Sequence, residues 1–155
     1  MPHPKPYFFY FYRPIFMLIN RKLWRFLCSF QFVVLIGLYT HLGLTPAPEK
    51  TVPIVYNDLF MHFSGYWVAA FSIVFAFPNL KYVQAALLLI IYSIGIEIFQ
   101  HFNPPRTFAV SDILANSMGV VTGLWTVNLA RQYIPFMAQL INYASGVSHT
   151  SEENG

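Results

Sequence analysis

The stretch EIFQHFNPPRTFAVSDILANSMG, residues Glu97–Gly119, joins two apolar segments and decides how they are arranged. Consecutive prolines at 104 and 105 interrupt the apolar pattern, and a second apolar run follows from Val110. Because proline lacks a backbone donor and breaks helices, these residues predict a turn between two helices. The stretch therefore predicts a helical hairpin whose acids, amides and arginine lie around its turn.

The composition of the whole chain is that of a membrane protein. Hydrophobic residues make up 56% of its 155 residues and charged residues only 10%, whereas soluble domains carry about 25% charged residues. The single cysteine, Cys28, excludes an internal disulfide. The basic residues lie beside apolar segments, so they indicate membrane orientation and predict no nucleic-acid partner.

Four apolar segments are each long enough to cross about 30 Å of hydrocarbon, which takes about 20 helical residues. They are residues 26–44, 59–77, 80–99 and 110–130. We therefore predict an all-α fold, a four-helix transmembrane bundle formed by residues 26–130. An aromatic and basic segment at 1–25 is predicted to be cytoplasmic or interfacial, and a cytoplasmic tail at 131–155 to begin as a short interfacial helix and end disordered.

The basic residues also predict which side each end of the bundle faces. Seven of them fall on one side of the predicted spans: Lys5, Arg13, Arg21, Lys22, Arg25, Lys81 and Arg131. Only Lys50 and Arg106 fall on the other side. The positive-inside rule then places both termini in the cytoplasm and the loops at 45–58 and 100–109 outside.

Polar residues converge at the outer ends of three predicted spans. Asp58 opens the second span with His62 one turn deeper, and Asp112 opens the fourth with Asn116 one turn deeper. The third span ends at the same depth because successive spans alternate in direction. The predicted functional cluster is Asp58, His62, Glu97, Gln100, Arg106, Asp112 and Asn116.

Glu97 is the member of this cluster that is hardest to explain by local structure. It lies near the C-terminus of its helix, where the helix dipole disfavours an acid, and a charge within the membrane costs at least about 2.5 kcal/mol. We therefore expect Glu97 to be protonated, or paired with Arg106, His62 or His101. Arg106 is the favoured partner because its guanidinium can bind a carboxylate at two points.

The start of the fourth span also carries structural signals. Ser111 is a candidate N-cap before Asp112, as Asn57 is before Asp58, and an acid in a first helical turn is stabilised by the dipole. Small residues then recur every four positions, which predicts close packing against another helix. This predicted packing stripe is Ser111, Ala115, Gly119 and Gly123.

Together these motifs resemble the VanZ-like family of bacterial membrane proteins. The resemblance covers roughly residues 57–123 and rests on NDLFMHFSGY, EIFQHFNPPR and SDILANSMGVVTG. The family often has a lysine directly after the first aspartate, whereas this chain has Leu59, which puts any role of that cation in doubt. The residues that fit the family pattern in order are Asp58, His62, Phe63, Glu97, Gln100, Arg106, Ser111, Asp112, Asn116, Gly119 and Gly123.

The resemblance implies a multi-pass protein of the bacterial cytoplasmic membrane that acts in the cell envelope. The family's founding member is linked to resistance to the glycopeptide antibiotic teicoplanin. An effect on glycopeptide susceptibility is therefore one expectation for this chain. The resemblance does not name a biochemical activity.

Three kinds of function fit these residues. The favoured one is non-catalytic: the outer cluster binds a lipid head group or another polar envelope ligand, with Arg106 meeting its phosphate or carboxylate. The second is a membrane-embedded hydrolase or transferase acting on a lipid-linked substrate, with His62 and Glu97 exchanging protons. The third is a structural or assembly role, in which the polar residues pin helices together.

No cofactor and no metal are predicted from the sequence. His62, His101, Glu97 and the two aspartates offer ligand atoms, but no HExxH motif, P-loop or dinucleotide motif is present. The predicted partners are membrane lipids and a lipid-linked or other envelope ligand, with a protein partner or a second copy of the chain as further expectations.

Overall fold

The computed structural model describes residues 20–45, 58–104 and 108–146. Within these residues the secondary structure is entirely helical. The helices are α1 (Arg21–Leu44), α2 (Asp58–Ala76), α3 (Tyr82–His101), α4 (Val110–Tyr133) and α5 (Pro135–Ser145). The first four are long and apolar enough to cross a membrane, which confirms the predicted all-α fold with four spans.

Helix α1 begins five residues before the predicted start of the first span. The Asn20 side chain accepts a hydrogen bond from the backbone N–H of Lys22 at 2.8 Å, so it caps the new helix terminus. Hydropathy places basic residues outside a span, but long basic side chains at a helix end can extend from apolar surroundings to the interface. The helix therefore includes Arg21, Lys22 and Arg25.

The helices alternate in direction along the chain. The Tyr39 hydroxyl of α1 donates to the carbonyl of Gly65 in α2 at 2.8 Å, and Gln100 near the end of α3 donates to the carbonyl of Gly43 near the end of α1. Helices α1 and α3 therefore end together, where α2 and α4 begin. We call this the site end. The opposite end, the basic end, carries Arg21, Lys22, Arg25, Lys81 and Arg131.

Helices α2 and α4 run in the same direction and pack closely at the centre of the bundle. Both glycines of the predicted stripe face α2: a Cβ on Gly119 would collide with the carbonyl oxygen of Phe63, and one on Gly123 would lie 2.8 Å from that of Trp67. Such close backbone contact is what small residues permit between membrane helices. The buried core around this contact includes Ala69, Ala70, Ile73, Val120 and Val127.

A short helix, α5, follows α4 and packs back on the bundle. Pro135 occupies its first turn, where proline is well tolerated, and Gly146 ends it in the left-handed conformation at φ 81°. Leu140, Ile141 and Ala144 are buried. The beginning of the predicted tail is thus helical; its interfacial position and its cytoplasmic side remain predictions. Residues 1–19 and 147–155 lie outside the described residues.

Candidate functional site

The site end holds nearly all of the cluster predicted from the sequence. Helix α2 supplies Asp58 and His62, α3 supplies Glu97 and Gln100, and α4 supplies Asp112 and Asn116. Arg106 lies outside the described residues, and so does its predicted pairing with Glu97. The six described members make three separate sets of contacts. Four of them lie together: Asp58, His62, Asp112 and Asn116. Glu97 instead contacts the start of α4, and Gln100 contacts α1.

Asn116 is the centre of the first group. Its side chain is buried at 2% exposure, and its amide nitrogen donates to the Ser93 hydroxyl of α3 at 2.8 Å. Its amide oxygen lies 3.1 Å from Nδ1 of His62. Because an amide oxygen can only accept, this orientation of Asn116 requires His62 Nδ1 to carry the hydrogen.

The other ring nitrogen of His62 faces two carboxylates. Nε2 lies 3.5 Å from Oδ2 of Asp112 and 3.8 Å from Oδ1 of Asp58. The side chains of His62 and Asp112 are 19% and 15% exposed, whereas that of Asp58 is 71% exposed. With a hydrogen on Nδ1, Nε2 can either donate a second N–H to these carboxylates or share a cation with them through its lone pair.

Glu97 belongs to a second contact, at the start of α4. Its side chain is buried at 1% exposure, and its Oε2 accepts a hydrogen bond from the backbone N–H of Ala109 at 3.2 Å. Ala109 is the N-cap residue of α4. The carboxylate therefore lies at the favourable, positive end of a neighbouring helix dipole, although it lies at the unfavourable end of its own helix.

The candidate N-cap Ser111 is wrong. Helix α4 begins at Val110, two residues before the Asp112 start that a Ser111 cap requires, and its N-cap residue Ala109 makes no side-chain capping bond. The Ser111 hydroxyl instead donates to Oδ1 of Asp112 at 3.2 Å. Local pattern favours a serine cap, but Glu97 from another helix satisfies the cap N–H. The candidate cap Asn57 lies outside the described residues.

Gln100 forms the third contact and fixes α3 to α1. It is buried, and its amide donates to the carbonyl of Gly43 at 2.7 Å, while Asn103 donates to the carbonyl of Leu44 at 2.6 Å. Both carbonyls belong to the last turn of α1, where no intrahelical partner is available. Gln100 thus anchors two helices and does not join the group around His62.

Sequence reasoning missed Ser93 and a repeat that links α2 to α4. The pattern Asp-x3-(His or Asn)-x2-Gly occurs at Asp58-His62-Gly65 and again at Asp112-Asn116-Gly119. Two parallel helices with the same pattern in register bring their polar turns together, which is what the structure shows. This repeat could have predicted that His62 and Asn116 meet. A lone serine within an apolar helix carries no comparable signal for Ser93.

Comparison with known proteins identifies a family for this chain but no individual relative. The model of the VanZ/LLP1 family matches residues 6–131, which include every predicted member of the cluster and, except for the last two residues of α4, the four candidate spans. No curated protein and no solved structure matches the chain. The family match covers more of the chain than the motifs on which the resemblance rests, and it confirms that resemblance. This chain is therefore a membrane protein of the VanZ/LLP1 family.

Proposed function

We propose that the site end binds a polar envelope ligand, such as a lipid head group, on the outer side of the bacterial cytoplasmic membrane. The observation that carries this proposal is the hydrogen-bonded series Ser93–Asn116–His62, which leads from the buried core to the two aspartates. Apolar helices do not need such a series to pack. It holds a titratable ring in a fixed orientation, which is a requirement of binding sites.

Exposure along this series favours a site that a ligand can enter. Asn116 is buried, His62 and Asp112 are slightly exposed, and Asp58 is largely exposed. Polar groups that served only to join helices would be expected to be satisfied by other helices, as Gln100 is. The Asp58 carboxylate, in contrast, is 71% exposed at the start of α2 and is accessible to a ligand.

The distribution of basic residues supports an outward-facing site. The described basic residues lie at the basic end, and the positive-inside rule places that end in the cytoplasm. The site end then faces the cell exterior and lies at the depth of the outer head groups. This position favours a ligand that is itself part of the membrane or reaches it from the envelope.

Arg106 is the residue proposed to meet the anionic part of the ligand. The carboxylates of Asp58, Asp112 and Glu97 would repel a phosphate, so a cation is needed beside them. Arg106 lies in the short connection between α3 and α4, and a guanidinium binds phosphate oxygens in a two-point fork. Asn116 and His62, which lie deeper in the bundle, would fix the geometry of the ligand site.

Phosphate recognition can be measured by native mass spectrometry of the full chain in detergent. The probes are dioleoyl phosphatidic acid and dioleoylglycerol, which share their acyl chains and differ in the phosphate. We expect the chain to retain phosphatidic acid in preference. A charge-assisted hydrogen bond contributes about 1.5–3 kcal/mol, so Arg106→Ala should weaken this binding by at least about tenfold.

Lys50→Ala is the matched control, because it removes the same charge from the other predicted outer loop. It should leave the preference for phosphatidic acid intact. Equal retention of the two lipids by the unmodified chain, or equal losses in both variants, would reject the proposal. If ligand binding underlies an effect on glycopeptide susceptibility, Arg106→Ala and not Lys50→Ala should also change the teicoplanin tolerance of a bacterial host that expresses the chain.

A further inference from the structure

We propose that the site end holds a divalent transition-metal cation, bound by His62 Nε2, Asp112 Oδ2 and Asp58 Oδ1. This inference goes beyond the binding of a lipid, because it rests on three side chains and can be tested without any lipid. It also departs from the sequence, which lacks a metal motif. The three ligands come from two helices, so no single linear motif could display them.

The distances between the ligand atoms suit a bound cation. Each of the three side chains offers one ligand atom within 4.8 Å of the other two, and Nε2 of His62 lies 3.5 Å from the nearer carboxylate oxygen. Ligands at about 2.1 Å in a tetrahedral site are about 3.4 Å apart. His62 and Asp112 therefore stand close to ligand spacing already. Oδ1 of Asp58 lies 3.8 Å from Nε2, and its side chain is 71% exposed, so a rotation can bring it to ligand distance.

The hydrogen bond at Nδ1 of His62 orients the ring so that Nε2 points toward the two carboxylates. A metal-bound histidine generally donates its other ring N–H to a fixed acceptor, which sets the tautomer and the ring orientation. Asn116 Oδ1 is that acceptor, at 3.1 Å from Nδ1, and Ser93 holds the amide from the other side. This support lies outside the set of ligands and is buried, so it does not depend on exposed acids.

Charge gives a second reason for a cation at this point. The site carries two carboxylates, of which that of Asp112 is 15% exposed and that of Asp58 is 71% exposed. A mostly buried charge is costly unless it is paired, and this applies to Asp112. A divalent cation would neutralise both aspartates and would also give an anionic head group a positive point to approach.

The ligand chemistry limits which ion is bound. Imidazole suits zinc, iron and other transition metals, whereas Mg²⁺ and Ca²⁺ prefer oxygen ligands alone. One imidazole with two carboxylates therefore fits Zn²⁺ or Mn²⁺. Three protein ligands leave a coordination position for water or for an oxygen of the ligand, as in open metal sites.

The test is the metal content and Zn²⁺ affinity of the full chain, purified without a histidine tag in detergent. After treatment with EDTA and dialysis against ZnCl₂ or MnCl₂, we expect one ion per chain, with MgCl₂ giving much weaker binding. Because second-shell changes alone cost about 10–100-fold in affinity, loss of a ligand in His62→Ala or Asp112→Asn should cost at least about 100-fold. Asp58→Asn alters an exposed side chain, so it should weaken binding without disturbing the fold.

His41→Ala is the matched control, because it removes an exposed histidine from the last turn of α1. It should leave Zn²⁺ affinity unchanged. Absence of a bound ion in the unmodified chain would overturn the inference, as would equal losses in His41→Ala and His62→Ala. Binding of Zn²⁺ without preference for phosphatidic acid would reject only the lipid proposal, and the reverse result would reject only the cation.

Discussion

Replacing Gly119 by alanine is expected to lower the free energy of unfolding by about 1–3 kcal/mol, the usual cost of overpacking a core. The new methyl group would meet the carbonyl of Phe63 and the backbone nitrogen of Trp67. Neither atom can move by rotating a side chain, so α2 and α4 must separate. Leucine at position 119 should prevent the two helices from packing at all.

Gly95→Ala is the matched control for this prediction. Gly95 lies within α3, and a Cβ there would meet no atom within 4 Å outside its own helix. Alanine at 95 should therefore leave stability unchanged or raise it, since alanine favours helix by up to about 1 kcal/mol over glycine. Reversible unfolding in mixed micelles measures both variants. Equal stability of the two would show that α2 and α4 are not in backbone contact.

Replacing Asn116 by leucine is expected to affect both stability and the cation. Leucine has a similar size but leaves the Ser93 hydroxyl and His62 Nδ1 without the partner they have now. Ser93 is buried, and loss of the partner of a buried group costs about 1–3 kcal/mol, whereas His62 is 19% exposed and should cost less. The ring of His62 also loses the acceptor that orients it, so affinity for Zn²⁺ should fall by about 10–100-fold.

The Asn116→Asp variant distinguishes loss of the orientation of the His62 ring from general destabilisation of the fold. A carboxylate can accept from His62 Nδ1 as the amide oxygen does, so this variant should keep most of the Zn²⁺ affinity that Asn116→Leu loses. Asn128→Leu makes the same amide-to-leucine change near the other end of α4 and should leave Zn²⁺ affinity unchanged. Equal affinity in Asn116→Leu and the unmodified chain would show that Asn116 does not position His62.

The sequence predicted the spans and the end of the bundle at which the polar residues gather. Both follow from hydropathy and from alternating direction, which depend on the order of residues along the chain. Which side chains meet depends on rotation about each helix axis. That rotation is set by packing, above all by Gly119 against α2. Packing of α3 on α1 turns Gln100 toward Gly43, and packing of α4 on α2 turns Asn116 toward His62.

Glu97 shows why local signals are insufficient at the site end. By its own helix it lies at the wrong terminus for an acid, and by local pattern Ser111 is the better cap for α4. The structure resolves both features with one contact, from Glu97 to the N–H of Ala109. The two residues belong to different helices, and a turn whose geometry the residue pattern does not specify connects them.

The tautomer of His62 tests the central claim most directly, because the claim is that Asn116 fixes the ring so that Nε2 faces the aspartates. It can be measured by ¹⁵N NMR of the full chain labelled at histidine, with His62 assigned through His62→Ala. At saturating Zn²⁺ the account predicts a proton on Nδ1 and a metal-shifted, unprotonated Nε2. A proton on Nε2 under these conditions would contradict it, because that nitrogen would then have no lone pair for the ion and could only donate to the two aspartates.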